Sequence, residues 1–392
     1  MALISLGKID KATIPILIGS VICFLNRLLN GYDGTELFKH SIITNIIIAF
    51  AKLFTAIPFI IEKRRSNKIS NNYIENINTI HNIELIYTDT SLDSIDIIRG
   101  KIRYIFLSAL IFFAQSIIFV QSLKIKTNSW IWDILITSIF YYYIFKIKLY
   151  KHHYLSMIII IITGLIIDLV LQNLQNDITN NLFLLFLRFL REILYSLHDV
   201  INKYLMQNKY CSIYDISLSN GIITLILLGI FSIFNYYFFN LDNFEEYFNN
   251  FNTKVELLVI FGVMITQLLL YLFTLITNRN YTPCHIFIIF VFGQLAYYID
   301  FSINSLIVFF CLLVILFMSL IFNEIIEINF WGLSDNTRRN IIKRGENEEA
   351  NIYKIDTFDE NDENSANLGE VDENNENLVE VNNIIKNEDI YN

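Results

Sequence analysis

Proline is nearly missing from this chain, three among 392 residues, and glycine is sparse at 13. Charge is thin as well: Asp, Glu, Lys and Arg make up 17% of the sequence, where a soluble domain carries about 25%. Hydrophobic side chains fill the space at 54%, with a mean hydropathy of +0.47. That profile excludes an ordinary soluble domain and fits a polytopic membrane protein. Cysteine is scarce too. Cys23, Cys211, Cys284 and Cys311 lie in or beside apolar stretches, with neither metal-ligand spacing nor a disulfide framework. No GxxxxGK[ST] loop occurs, so ATP is not expected to drive any process here. DHHC, HExxH and paired DxxD patterns are also missing, which leaves catalysis without residues to carry it. His152 and His153, in KIKLYKHH, have no acidic residue near them in sequence and read as part of a basic loop. The expectation is a protein that is not an enzyme, with no cofactor, no metal centre and no nucleic-acid partner.

A bilayer core asks for roughly 20 apolar residues per helix. Ten segments approach that length: 12–30, 37–61, 102–121, 130–147, 154–173, 182–206, 213–236, 255–275, 285–302 and 304–323. No A-x-A site follows the first, which is therefore expected to be retained rather than cleaved. Lys and Arg collect in cytoplasmic loops. With the amino terminus inside, the even-numbered connections hold Lys63, Arg64, Arg65, Lys68, Arg99, Lys101, Lys146, Lys148, Lys151, Lys209, Arg279, Arg338, Arg339, Lys343 and Arg344. The opposite side receives Lys124, Lys126 and Lys254, beside the acidic LDNFEEYFNN. The expected fold is an all-α polytopic membrane protein of ten transmembrane helices with both termini cytoplasmic.

The expected organisation is a first five-helix unit over 1–173, including an Asn-rich, partly disordered cytoplasmic loop at 62–100, and a second unit over 174–323. A basic juxtamembrane segment follows at 324–344, then an acidic tail at 345–392. That tail holds fifteen Asp and Glu against Lys354 and Lys386, a net −13, so the chain's −9 leaves about +4 elsewhere. Within it DENSANLGEV (362–371) runs directly into DENNENLVEV (372–381). Few aromatics and high charge point to disorder. A solvated tail and a docking peptide for a cytosolic partner both stay open.

The halves resemble each other faintly. SLKIKTNSWIWDIL leads into a span ending FYYYIF, and LITNRNYTPCHIFI into one ending LAYYID. Five crossings per half make the second copy an inverted repeat, an arrangement that places a substrate site at the midplane of secondary transporters.

LKIKTNSWIWDIL, FKIKLYKHHYLSMIIIIITG and INKYLMQNKYCSIYDI together resemble the drug/metabolite transporter superfamily. Within it the chain looks most similar to nucleotide-sugar-transporter-like members of solute carrier family 35, including EamA-type proteins, over about residues 12–330. The GALNK motif of GDP-mannose transporters is absent. The resemblance implies an antiporter in the Golgi or endoplasmic reticulum membrane. No KDEL or dilysine address is present, which leaves a vacuolar or plasma membrane open, as it does a homodimer.

The sixth span, FLRFLREILYSLHDVINKYL, is the one apolar segment rich in charge. At 100° per residue Arg188, Arg191, Glu192, Tyr195, Asp199, Asn202 and Lys203 share one third of the helix circumference. A helix lying flat at the interface would show the same stripe. So would a structural network of the i, i+4 pairs Arg188–Glu192 and Asp199–Lys203, or a hydrated substrate cavity. Lys52, deep in the second span, is expected either to contact substrate or to pair with Glu192 or Asp199. Gln115 and Gln267 sit mid-span in the third helix of each half, facing either the cavity or an interhelical hydrogen bond. Asn26, Arg27, Asp168 and Gln294 are weaker candidates. Lys52, Arg188, Arg191, Glu192, Asp199 and Lys203 sum to +2, which favours an anionic solute. The sequence thus points to a secondary transporter, exchanging an anionic organic metabolite such as a nucleotide sugar by alternating access. The alternative is a non-transporting scaffold that acts through its tail.

Overall fold

A computed structural model describes residues 4–6, 13–30, 41–65, 90–122, 129–173, 182–239, 247, 253–298, 303–328, 333 and 337. Long apolar runs almost free of proline leave the backbone one way to satisfy its N–H and C=O groups in hydrocarbon, which is to bond within helices. The helices are α1 (Thr13–Asn30), α2 (Ser41–Lys52), α3 (Thr90–Ser122), α4 (Asp133–Phe145) and α5 (Lys151–Asn173). They continue with α6 (Leu182–Asn208), α7 (Ile213–Phe234), α8 (Thr253–Asn280), α9 (Pro283–Gln294) and α10 (Ile303–Phe322). A 3-10 turn at Leu53–Thr55 interrupts α2, and helix resumes over 56–65. Similar turns precede α4 (Ser129–Trp132) and follow α9 (Leu295–Tyr298).

Among the described residues, six segments are long and apolar enough to cross a membrane: Ile42–Arg65, Lys101–Ile118, Lys151–Val170, Ile213–Phe238, Val255–Asn280 and Asn304–Phe322. Thr13–Leu29, Asp133–Phe145 and Pro283–Tyr298 are apolar but shorter. The remaining helix, α6, has the length but carries the charged stripe. The chain is an all-α polytopic membrane protein.

Two boundaries differ from expectation. The loop placed at 62–100 is helical at both ends, since α2 runs to Arg65 and α3 starts at Thr90; positions 66–89 lie outside the described residues. Hydropathy marks where a helix leaves the apolar phase, not where its hydrogen bonding stops. The segment expected to be basic and juxtamembrane, 324–344, contains a strand, β2 (Ile326–Ile328). It pairs antiparallel with β1 (Ile4–Leu6), Ile4 opposite Ile328 and Leu6 opposite Ile326. The tail at 345–392 lies outside the described residues.

Several ends are fixed locally. The hydroxyl of Ser212 accepts the Asp215 N–H at 3.1 Å, capping α7, and Lys101 on α3 bridges to the Asp215 carboxylate at 2.8 Å. Pro283 opens α9, where its missing N–H is not needed. Helix α10 ends in a Schellman turn: Glu324 N–H donates to Ile321 O at 3.1 Å and Ile325 N–H to Leu320 O at 2.9 Å. Glu324 holds the left-handed position of that turn (φ 58°), which glycine ordinarily fills.

The helices pair in a definite pattern. Helix α3 lies against α6 and α7, and α8 against α1 and α2; α1 meets α9 as α6 meets α4; α2 faces α7, α4 faces α9, and α5 faces α10. One buried cluster joins α4, α5, α9 and α10 through Ile134, Ile160, Ile167, Phe287, Val291, Leu312 and Ile315. Another joins α3, α6, α7 and α8 through Ile105, Ile201, Leu205, Ile216 and Leu275. Helices α2 and α7 approach so closely at Gly221 that a Cβ there would lie 2.8 Å from the Cβ of Lys52 and 3.2 Å from the carbonyl oxygen of Ala49.

Candidate functional site

The polar interior is built on the facing sides of α2, α3, α6, α7 and α8. Helical spacing places Ser108, Phe112 and Gln115 on one side of α3, and Ser217, Asn220 and Thr224 on one side of α7. These meet in a chain of hydrogen bonds: the Ser108 hydroxyl donates to Asn202 Oδ1 (2.7 Å), while Asn220 Nδ2 donates to Ser108 Oγ (3.2 Å) and to the Tyr271 hydroxyl (2.8 Å). Asn202 Nδ2 approaches the His198 ring at 3.3 Å. Four helices are thereby tied together by buried side chains.

Lys52 ends in this network. The residue is 1% exposed, and its ammonium lies 3.3 Å from the ring centroid of Phe112 and 3.7 Å from that of Tyr271. Among the described residues it has neither a hydrogen-bond acceptor nor a carboxylate partner. The ion pair with Glu192 or Asp199 that would neutralise it is therefore not formed. Two aromatic faces supply its compensation.

Phe112 and Tyr271 also belong to the wall of a small cavity of about 60 Å³, lined further by Tyr195, His198, Asp199, Thr274, Leu275, Asn278 and Phe290. That is room for a few water molecules. Asp199 Oδ1 stands 3.6 Å from His198 Nδ1, and Asn278 Nδ2 donates to the backbone oxygen of Asp199 at 2.7 Å.

Of the stripe on α6, then, Tyr195 and Asp199 line the cavity. Glu192 is buried and held by Arg191 at 2.7 Å, and Arg191 lies 5.9 Å from the centroid of the Tyr195 ring. Arg188 is 8% exposed and feels the charges of Arg191, Glu192 and Asp168. Lys203 is fully buried at the other end, its ammonium donating to the carbonyls of Arg279 (3.1 Å) and Tyr281 where α8 finishes. The cations are thus spread along the helix rather than gathered at one chamber.

The two glutamines part company. Gln267 donates to Asn26 Oδ1 at 3.2 Å, alongside Thr266 at 3.0 Å, so it joins α8 to α1. Gln115 is 1% exposed, and among the described residues neither its oxygen nor its nitrogen has a partner. Arg27 donates to the Tyr297 hydroxyl at 3.3 Å, and Gln294 is buried within α9.

Sequence reasoning missed Asp133. Its carboxylate, 8% exposed, accepts the hydroxyls of Ser196 on α6 (2.5 Å) and Thr137 (3.2 Å), joining α4 to α6. Asp133 and Asn220 carried a legible signal, since each is a polar residue inside an apolar span. Phe112 and Tyr271 carried none, because aromatics are common in this chain. A correction concerns His152 and His153, which do have an acidic neighbour: His152 Nε2 lies 3.2 Å from Glu324 Oε1, across 172 residues of sequence.

Fold and interior together define a helical membrane protein with a polar, partly charged centre between its helices. No protein-family model matches the chain, and no curated protein matches it.

Proposed function

We propose that the chain is a secondary transporter for a small anionic organic metabolite, a nucleotide sugar being the expected class, working by exchange and alternating access. The observation that carries this reading is Lys52, a buried ammonium with no carboxylate partner among the described residues, behind the wall of a cavity. An incoming anion would neutralise it, and interior ionisable groups of membrane proteins ordinarily serve a substrate or ion path. A nucleotide sugar far exceeds about 60 Å³, so the helices must part to admit it.

The finer architecture belongs to the same proposal: ten crossings, two inverted five-helix units, both ends cytoplasmic, and a Golgi or endoplasmic reticulum address. The helix pairing supports it in part: replacing each helix by the one five places later carries α3–α6 onto α8–α1, α3–α7 onto α8–α2 and α1–α9 onto α6–α4, while α9–α10 has no comparable counterpart between α4 and α5. Helices α4 and α9 correspond under that exchange. Each is short, 13 and 12 residues, and each is extended by a four-residue 3-10 turn. With those turns they reach about 26–28 Å, close to a bilayer core.

The cavity wall favours a second reading. Phe112, Tyr195, Tyr271 and Phe290 line the cavity together with Asp199, and aromatic rings with a carboxylate suit an organic cation.

The deciding experiment is uptake into liposomes containing the full chain, with nucleotide sugars, phosphorylated sugars and organic amines, for wild type and Lys52→Met. Anion exchange that falls at least tenfold in the variant is the expected result. Amine uptake that survives Lys52→Met but falls in Asp199→Asn would move the assignment to cations. No saturable flux of either kind from protein with an intact thermal transition would favour the scaffold.

A further inference from the structure

We propose that His152, His153 and Glu324 form a binding site for a divalent transition-metal ion of the zinc type, joining the start of α5 to the end of α10. One donor atom from each of the three lies within 4.8 Å of the others. Around a tetrahedral zinc, ligand atoms at about 2.0–2.1 Å from the ion stand about 3.3 Å apart. Small side-chain rotations close that gap.

His152 is the strongest pointer. It is 3% exposed, and neither ring nitrogen makes a hydrogen bond among the described residues, although Nε2 comes within 3.2 Å of Glu324 Oε1. A buried imidazole beside a carboxylate, close in distance but poorly aligned for a shared proton, is arranged as two ligands of one ion would be. His153 brings the second imidazole, whose Nδ1 accepts the Tyr150 N–H at 3.1 Å. The His153 ring is held edge-on against Phe322 with centroids 4.8 Å apart.

Glu324 supplies a separate argument. It occupies the left-handed position of the Schellman turn, where glycine would be less strained. Backbone comfort does not explain a glutamate there, whereas a carboxylate delivered to His152 does. Two imidazoles and one carboxylate suit Zn²⁺, Co²⁺, Ni²⁺ or Cu²⁺, while Mg²⁺ and Ca²⁺ prefer all-oxygen shells. Three protein ligands leave a fourth position for water or an exogenous ligand. Sequence spacing concealed the set, because the acid comes 172 residues after His152 in the chain. The proposal does not depend on transport.

The test uses the full chain, purified without a polyhistidine tag, stripped with EDTA and titrated with Co²⁺. The expected result is a visible ligand-field spectrum saturating near one equivalent and displaced by Zn²⁺, together with a thermal midpoint raised by Zn²⁺ but not by Mg²⁺. In His152→Gln the affinity should fall at least tenfold. Glu324→Gly relieves the left-handed strain and so keeps the fold; it should melt normally yet lose both spectrum and shift. A wild-type chain with no stoichiometric spectrum, or a Glu324→Gly chain that binds as wild type does, overturns the site.

Discussion

Some buried polar atoms of the described residues share hydrogen bonds in groups, and removing one member exposes the others. Ser108 is the clearest case, because its single hydroxyl serves both Asn202 and Asn220. Ser108→Ala should destabilise the folded state by about 1–3 kcal/mol, since two amides lose a partner where water is scarce. Thermal unfolding in detergent measures the effect, and an unchanged midpoint would mean that water already substitutes. Lys203 makes the opposite point. Its place on the helical wheel makes it a substrate-binding candidate, yet it meets the carbonyls of Arg279 and Tyr281 at and just past the end of α8. The wheel gives azimuth alone. From Arg188 to Lys203 the helix rises about 22 Å, too far for one small cavity to collect every charge on the stripe.

For whole elements, hydropathy made the ten apolar segments legible to within a few residues over most of their length. It misplaced the ends of α2 and α3, where helix continues into polar sequence. Which helices touch was not legible, because periodicity identifies an apolar face without naming the neighbour that covers it. Lys52 shows the result: its depth in α2 was apparent, but its contact with Phe112 and Tyr271 depends on α3 and α8 converging there. Gly221 helps to set that position. Gly221→Ala would press a methyl group into Lys52 and the Ala49 carbonyl, so α2 and α7 must separate slightly. Overpacking of this kind destabilises by about 1–3 kcal/mol, and any flux that depends on Lys52 should fall with the thermal midpoint. At the end of α10 the sign reverses. In metal-free protein Glu324→Gly should raise stability by about 1 kcal/mol by relieving the left-handed residue. A lower midpoint for that variant would show that the carboxylate already contributes more without an ion.

Over the whole molecule, charge divides between a bundle of about +4 and a tail of −13. If the chain is the transporter proposed, deleting 345–392 should leave the thermal midpoint and any flux unchanged. Loss of flux in the truncated chain would tie the tail to the working cycle and revive the scaffold reading in modified form.

The clasp between β1 and β2 bears on how the protein is made. Residues 4–6 leave the ribosome long before their partners at 326–328, which emerge only after the described helices α1 to α10 have been synthesised. At about 5–20 residues per second, the first strand waits on the order of tens of seconds with its backbone unmatched. Closing the clasp is therefore a late event, and a nascent chain halted before residue 326 would present an open strand edge to quality-control factors.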